Sequence, residues 1–165
     1  MTSPDLAIPA NQTQVAPGDP YLKVHLGQQT TAVFSMQHVQ EAVVVSAQRL
    51  TSMPNVPACM LGLINRRSQV LWVIDLANLL QLQPAAAPTQ QCNIVIIQVG
   101  SVLLGLAVSA IKGIVRLPTD SIQSPPGQVT AGLLPYLRGC ALQPEGISLV
   151  LDAAVITQSP MLHSY

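Results

Sequence analysis

GLINRRSQVLWVIDL, residues 62–76, sets Asn65, Arg66, Arg67 and Ser68 between two apolar runs that read as buried strands. Only 8% of the 165 residues are charged, yet two of the seven basic residues stand at this one connection. The stretch therefore reads as a β-hairpin whose polar tip faces a partner.

The rest of the composition narrows the field. A hydrophobic content of 49% supports a packed domain and excludes a disordered chain. Seven basic residues balance seven acidic ones, so there is no electrostatic footprint for nucleic acid or an anionic membrane, and partners must be met largely through apolar contact. Met1 to Pro20 lacks a basic and an apolar targeting region; residues 1–19 read as a flexible tail and the cytoplasm as the default compartment. Cys59, Cys92 and Cys140 are odd in number and each lies beside strand-like sequence, as reduced thiols acting as small hydrophobes do. Asn11-Gln12-Thr13 matches a glycosylation sequon, a chance match without a secretion signal.

Ile94 to Ile111 is apolar and long enough to be nominated as a membrane span. Its ends are β-branched, Gln98 interrupts it, and Val99-Gly100-Ser101-Val102 is a hairpin signal, so two adjacent buried strands are expected, with no membrane insertion.

This segment also opens an internal repeat. From Tyr21 the chain reads as strand, turn at Gly27, strand through Thr31 to Phe34, a bend at Ser35 to His38 and a third strand through Val39 to Val45; the run from Asn93 follows the same plan. Gly27 answers Gly100, Phe34 falls near Ala107, and Val39 to Val43 align with Ile111 to Val115. Downstream, Leu50 to Pro54 align with Ile122 to Pro126, Asn65-Arg66-Arg67 with Leu137-Arg138-Gly139, and Val73 to Leu76 with Val150 to Ala153. Short strands divided by Gly, Pro and polar turns point to small barrels built twice from one β unit. Helix is expected only after two aspartates, Asp75 capping Leu76 to Leu82 and Asp152 capping Ala153 to Thr157. Linkers are expected at Gln83 to Gln91, dividing the units, and at Ser124 to Gln128.

Catalytic equipment is sparse. His25, His38 and His163 are not spaced as metal ligands, and no Cys or carboxylate cluster completes a site. No serine sits in a G-x-S-x-G elbow. Gly100 to Gly105 has phosphate-loop glycine spacing, but Leu106 stands where the lysine belongs. The expectation is no enzyme, no metal and no cofactor.

With repeat and tip in place, residues 21–156 resemble the CheW-like coupling domain of bacterial chemosensory systems. That family's Gly-x-x-Asn-x-Arg-Gly, followed by an apolar strand ending in Pro-Val-x-Asp-Leu, is matched by Gly62, Asn65, Arg67, Val73, Asp75 and Leu76. Val39-Gln40-Glu41 matches its Val-x-Glu; Val115 to Pro118, Tyr136 to Gly139 and Leu149 to Asp152 match its second half. Ser68 replaces the glycine after the arginine, Trp72 the proline before Val73, and Arg66 a residue that is usually apolar. Ser68 reaches positive φ less cheaply than glycine, so the tip is expected to turn differently. Trp72 is either a core residue or a partner anchor.

The resemblance implies a mainly β fold of two pseudo-symmetric five-stranded SH3-like barrels on a shared core, with one or two short helices. The domain would span residues 20–158, its barrels joined near 83–91, with a tail at 159–165. It implies a non-catalytic adaptor joining a chemoreceptor's cytoplasmic tip to the regulatory domain of a CheA-type histidine kinase, in the cytoplasm beside membrane receptor arrays. Gln-rich, charge-poor copies in cyanobacterial phototaxis or pilus-motility systems are the ones this chain resembles. Residue by residue, the receptor side would comprise Val39, Glu41, Asn65, Arg66 and Arg67, with Val39 sharing Glu41's face and Arg67 ion-paired to Glu41. The kinase side would use Leu26, Gln28, Thr31, Arg49 and Val56. Alternatives are an adaptor for a response regulator or motility component, and a small barrel enclosing an apolar ligand.

Overall fold

The computed structural model describes residues 18–82, 90–125 and 129–162. It is mainly β: β1 (Asp19–Leu26), β2 (Thr30–Ser35), β3 (Val39–Ser46), β4 (Met60–Arg66) and β5 (Gln69–Asp75) precede the short helix α1 (Leu76–Leu79). Then come β6 (Gln91–Val99), β7 (Val102–Val108), β8 (Ala110–Leu117), the two-residue β9 (Ile122–Gln123), β10 (Leu137–Gln143), β11 (Gly146–Leu151) and α2 (Ala153–Thr157). The apolar run 94–111 is the β6–β7 hairpin, turned at Gly100 with φ +61° as expected, and the first two residues of β8. No helix among the described residues is long and apolar enough to cross a membrane.

The strands form a sheet ordered β8-β1-β2-β11-β10-β9 and a sheet ordered β3-β6-β7-β5-β4. Each half of the chain thus lends its first hairpin to the other half's sheet: β1–β2 lies between β8 and β11, and β6–β7 between β3 and β5. In each sheet the hairpin is joined on one side by a parallel pairing, β2 with β11 and β5 with β7. The repeat is therefore a pseudo-twofold relation between sheets.

Three apolar clusters follow from alternation along the strands. Val45, Ile64, Leu71, Val73, Cys92, Ile94 and Ile96 fill the barrel of the β3–β7 sheet. Tyr21, Val33, Leu117, Ala141 and Val150 fill the other. Between them lies a shared core of Leu22, Val24, Phe34, Ile74, Leu76, Val95, Ile97, Leu106, Leu151 and Ile156, drawn from both sheets and both helices. Cys59, Cys92 and Cys140 are free and buried, and burial pushes each thiol up.

Both aspartate caps form: Asp75 accepts from the Asn78 N–H at 3.3 Å and Asp152 from the Val155 N–H at 3.2 Å. The first helix stops at Leu79 instead of Leu82, because Gln81 turns to φ +60° and the Leu82 and Gln81 N–H groups bond back to Ala77 and Asn78. That closure is a Schellman motif with glutamine in the usual glycine place.

Two further expectations are corrected. Asn65-Arg66-Arg67 do not align with Leu137-Arg138-Gly139: β-bulges fall between Met60 and Gly62 and between Leu137 and Gly139, so Gly62 answers Gly139 and Arg66 answers Gln143. Residues 159–162 are not a tail. Pro160–Leu162 form a 3-10 turn, Leu162 packs into the shared core, and the Ser159 and Tyr136 hydroxyls are hydrogen-bonded at 2.6 Å. The expected linker at 83–91 lies outside the described residues except Gln90 and Gln91, the latter already in β6; residues 126–128 of the other linker, the sequon and His163 also lie outside.

Candidate functional site

β4 and β5 meet in a two-residue turn whose central residues, Arg67 and Ser68, have φ +53° and +67°. Positive φ at both positions matches the right-handed twist of the flanking strands, which is why Asn-Gly is favoured there. Ser68 therefore keeps the left-handed geometry that glycine would take, contrary to the expectation of a different turn. Holding a side chain there costs about 1–2 kcal/mol. Ser68→Gly is expected to raise stability by about 1 kcal/mol in urea unfolding; a lower midpoint would mean that the serine side chain stabilises the tip.

The turn carries Arg66 and Arg67 to Glu41 on β3. Arg66 Nη2 donates to Glu41 Oε2 at 2.9 Å and its Nε to Oε1 at 3.2 Å, a bidentate fork; Arg67 adds longer contacts at 3.3 and 3.5 Å. The expected Glu41–Arg67 pair is present, but the better geometry belongs to Arg66, whose side chain is 31% exposed against 76% for Arg67. β3 and β4 are the two edges of their sheet, so this cluster bridges the seam where the barrel closes. Two cations on one carboxylate leave a net positive tip.

The hydrogen bond from Arg66, with that from Arg67 and the charge of both, holds the Glu41 carboxyl below its ordinary range, and the same contact raises Arg66. A depressed folded pKa means the cluster's stabilisation is complete above the unfolded value, near 4.5, and is lost as pH falls through the folded one. Wild type is thus expected to lose stability relative to Glu41→Gln between about pH 5 and pH 3 and to hold a constant difference above pH 6; parallel curves in urea titrations across that range would show that the ion pair is not coupled to folding.

Val39 does not share Glu41's face. A bulge at Gln40 shifts the register, so Val39 pairs with Ile97 of the shared core while Glu41 pairs with Ile96 of the barrel interior. Gln40 itself is tied to Gln98 through their side-chain amides. Val39 packs, half-buried, against the shared core, and Asn65 is exposed at the end of β4. Trp72 also packs half-buried on the shared core, away from the tip.

The residues expected on the kinase side are scattered. Leu26 is fully buried in the shared core and offers no contact, because alternation along β1 turns it inward with Leu22 and Val24. Gln28 lines a surface cleft of about 510 Å³ with Gln81, Leu82 and Leu133, and Thr31 is half-buried on β2. Arg49 is exposed in a 3-10 turn after β3, and Val56 packs on the shared core from the following loop. A second ion pair, Lys23 with Glu145, went unforeseen. Aligning Gly62 with Gly139 would have placed Glu145 in the turn equivalent to Arg67 and Ser68.

Comparison with known proteins gives one family. The CheW-like domain matches residues 20–161. A probable chemotaxis protein CheW of Rhizobium etli is 42% identical over 83 residues, 50% of this chain and 52% of that protein. The chemotaxis protein CheW of Rhizobium meliloti is 40% identical over 101 residues, 61% of this chain and 64% of that protein. The matches thus span about half to two thirds of those relatives' own length. In structure, the scaffolding protein TtCheW of Thermoanaerobacter tengcongensis superposes with a TM-score of 0.74 at 20% identity, covering 88% of this chain and 96% of that one.

Proposed function

The chain belongs to the CheW-like domain family, whose members are non-catalytic scaffolds, and from that premise we propose that it couples a chemoreceptor's cytoplasmic tip to a CheA-type histidine kinase. The observation that carries this reading is the Glu41, Arg66 and Arg67 cluster. A strained turn holds it at a barrel seam, and the shorter contacts of Arg66 to the carboxylate leave the exposed Arg67 able to reach a partner as well. The division of labour is that Arg66 orients the tip and Arg67 recognises the receptor. Such an adaptor works beside membrane receptors in the cytoplasm by fixing geometry, so that a receptor's two states present different contacts to the kinase.

Charge reversal separates the two arginines. Arg67→Glu is expected to unfold as wild type does while binding to a receptor cytoplasmic fragment, read by titration calorimetry, falls about tenfold or more. Arg66→Glu is expected to lower both the urea midpoint and binding. Unchanged receptor binding by Arg67→Glu in a folded protein sinks the recognition role. The enclosed-ligand alternative is disfavoured by the apolar clusters inside both barrels, mostly Val, Ile and Leu in one and Tyr, Val, Leu and Ala in the other.

A further inference from the structure

The two barrels end differently. In the β3–β7 barrel the layer nearest the hairpin tip is Ile96, Leu103 and Leu71, closed over by Glu41 and Arg66. Register places Lys23, Thr31, Ser148, Gly113 and Gln143 at the corresponding positions of the other barrel. Where one barrel has aliphatic side chains, the other has an ammonium and two hydroxyls, and where one supplies a carboxylate, the other has glycine. Gly113, at φ +121°, stands where Glu41 does, and a Cβ built on it would meet nothing within 4 Å, so no neighbouring group takes the place of the Glu41 side chain at its root.

Polar groups are costly to bury without partners, and here they are partly provided for. Ser148, fully buried, donates to Gln143 Oε1 at 2.6 Å. Lys23, with 13% of its side chain exposed, pairs with Glu145 from the β10–β11 turn. Lys112, at the bulge beside Gly113, makes no hydrogen bond or ion pair among the described residues. His25, one strand period from Lys23, is held below its ordinary pKa range by burial and by the charges of Lys112 and Lys23. The two ammonium groups against one carboxylate therefore leave this end net positive.

We propose that this end of the second barrel, at Lys23, His25, Lys112 and Gly113, receives an acidic side chain from a partner protein, in the place that Glu41 fills from within in the first barrel. A protein, instead of a free anion, is the occupant because the residues next to this lining turn apolar side chains outward. Ile114 beside Gly113, Leu142 beside Gln143 and Ile147 beside Ser148 are 61%, 77% and 54% exposed. These side chains lie on the outer face of the same strands, where a partner seated at this end can cover them, and a charged anchor beside apolar contact is how protein interfaces concentrate affinity. This inference is independent of which partner meets the Glu41 tip.

The test is an NMR titration of the whole protein with three probes: a terminally blocked pentapeptide carrying one glutamate between two leucines, the same peptide with glutamine, and sodium acetate. The glutamate peptide is expected to shift the amides of Lys23, His25 and Gly113 and to raise the pKa read from the His25 ring protons. The glutamine peptide should do neither, and acetate should need at least about tenfold higher concentration. Lys112→Gln, at an exposed site, should weaken the glutamate peptide about two- to fivefold and leave the thermal midpoint in place. Equal binding of the two peptides, equal affinity for acetate, shifts confined to Glu41 and its tip, or no effect of Lys112→Gln would each overturn the proposal.

Discussion

Cut between Leu82 and Gln90, the two halves of the chain are expected to be unfolded apart and to regain the native circular dichroism and amide spectrum when mixed. In the first half, β1–β2 has lost both of its neighbours, β8 and β11; in the second, β6–β7 has lost β3 and β5. A hairpin with no sheet to join is marginal in water at best. The shared core is divided in the same way: Leu22, Phe34 and Ile74 come from one half, and Val95, Ile97, Leu106 and Ile156 from the other. By the same reasoning the intact chain should unfold in a single transition, whichever barrel carries the probe. A cooperative urea transition in the isolated first half would show that β3, β4 and β5 fold without the borrowed hairpin.

Gly62→Ala is expected to cost about 3 kcal/mol and to lower the thermal midpoint by roughly 10 °C. A Cβ there would lie 2.4 Å from the Thr51 carbonyl oxygen, and φ at this residue is +151°. The obstruction cannot swing aside, because Thr51 is held by its N–H to Leu63 at 2.8 Å and its carbonyl to the Leu63 N–H at 2.9 Å. Gly139→Ala meets the Gln123 carbonyl oxygen at 2.5 Å and is expected to cost nearly as much. Gly100→Ala, left-handed but with nothing within 4 Å, isolates the backbone contribution at about 1–2 kcal/mol. If all three alanine variants lose the same stability in calorimetry, the close approach of the two carbonyls is not what fixes these glycines.

Much of this architecture could be read from the residues because the decisive signals were local. Gly27 and Gly100 marked hairpins, Asp75 and Asp152 capped helices, and alternation in β1 to β3 gave strand bounds within a residue or two. The association of Glu41 with the 66–67 tip came from family resemblance. What escaped was whatever one extra residue changes. The bulge at Gln40 put Val39 and Glu41 on opposite faces, though a period-two reading makes them neighbours. In the second half, matching Arg138 to the arginines of the tip overrode the glycine, although the close carbonyl contact belongs to Gly62 and Gly139. Leu26 was expected on the kinase side from family resemblance, yet its side chain ends the inward face of β1. The exchange of hairpins between sheets has no signature along the chain, since a strand's pattern names its buried face but not its neighbour.

The parallel pairing of β2 with β11 has a consequence for how the protein is made. Thr31 cannot find its partner until Ser148 has left the ribosome. At about 5–20 residues per second, that interval is on the order of ten seconds. Until β8 is made the β1–β2 hairpin presents two open strand edges to other nascent chains, and from then until Ser148 emerges the β2 edge stays open, a template for mispairing. The rate at which the second half is translated, more than the stability of the finished fold, is therefore what should govern the soluble yield of this protein.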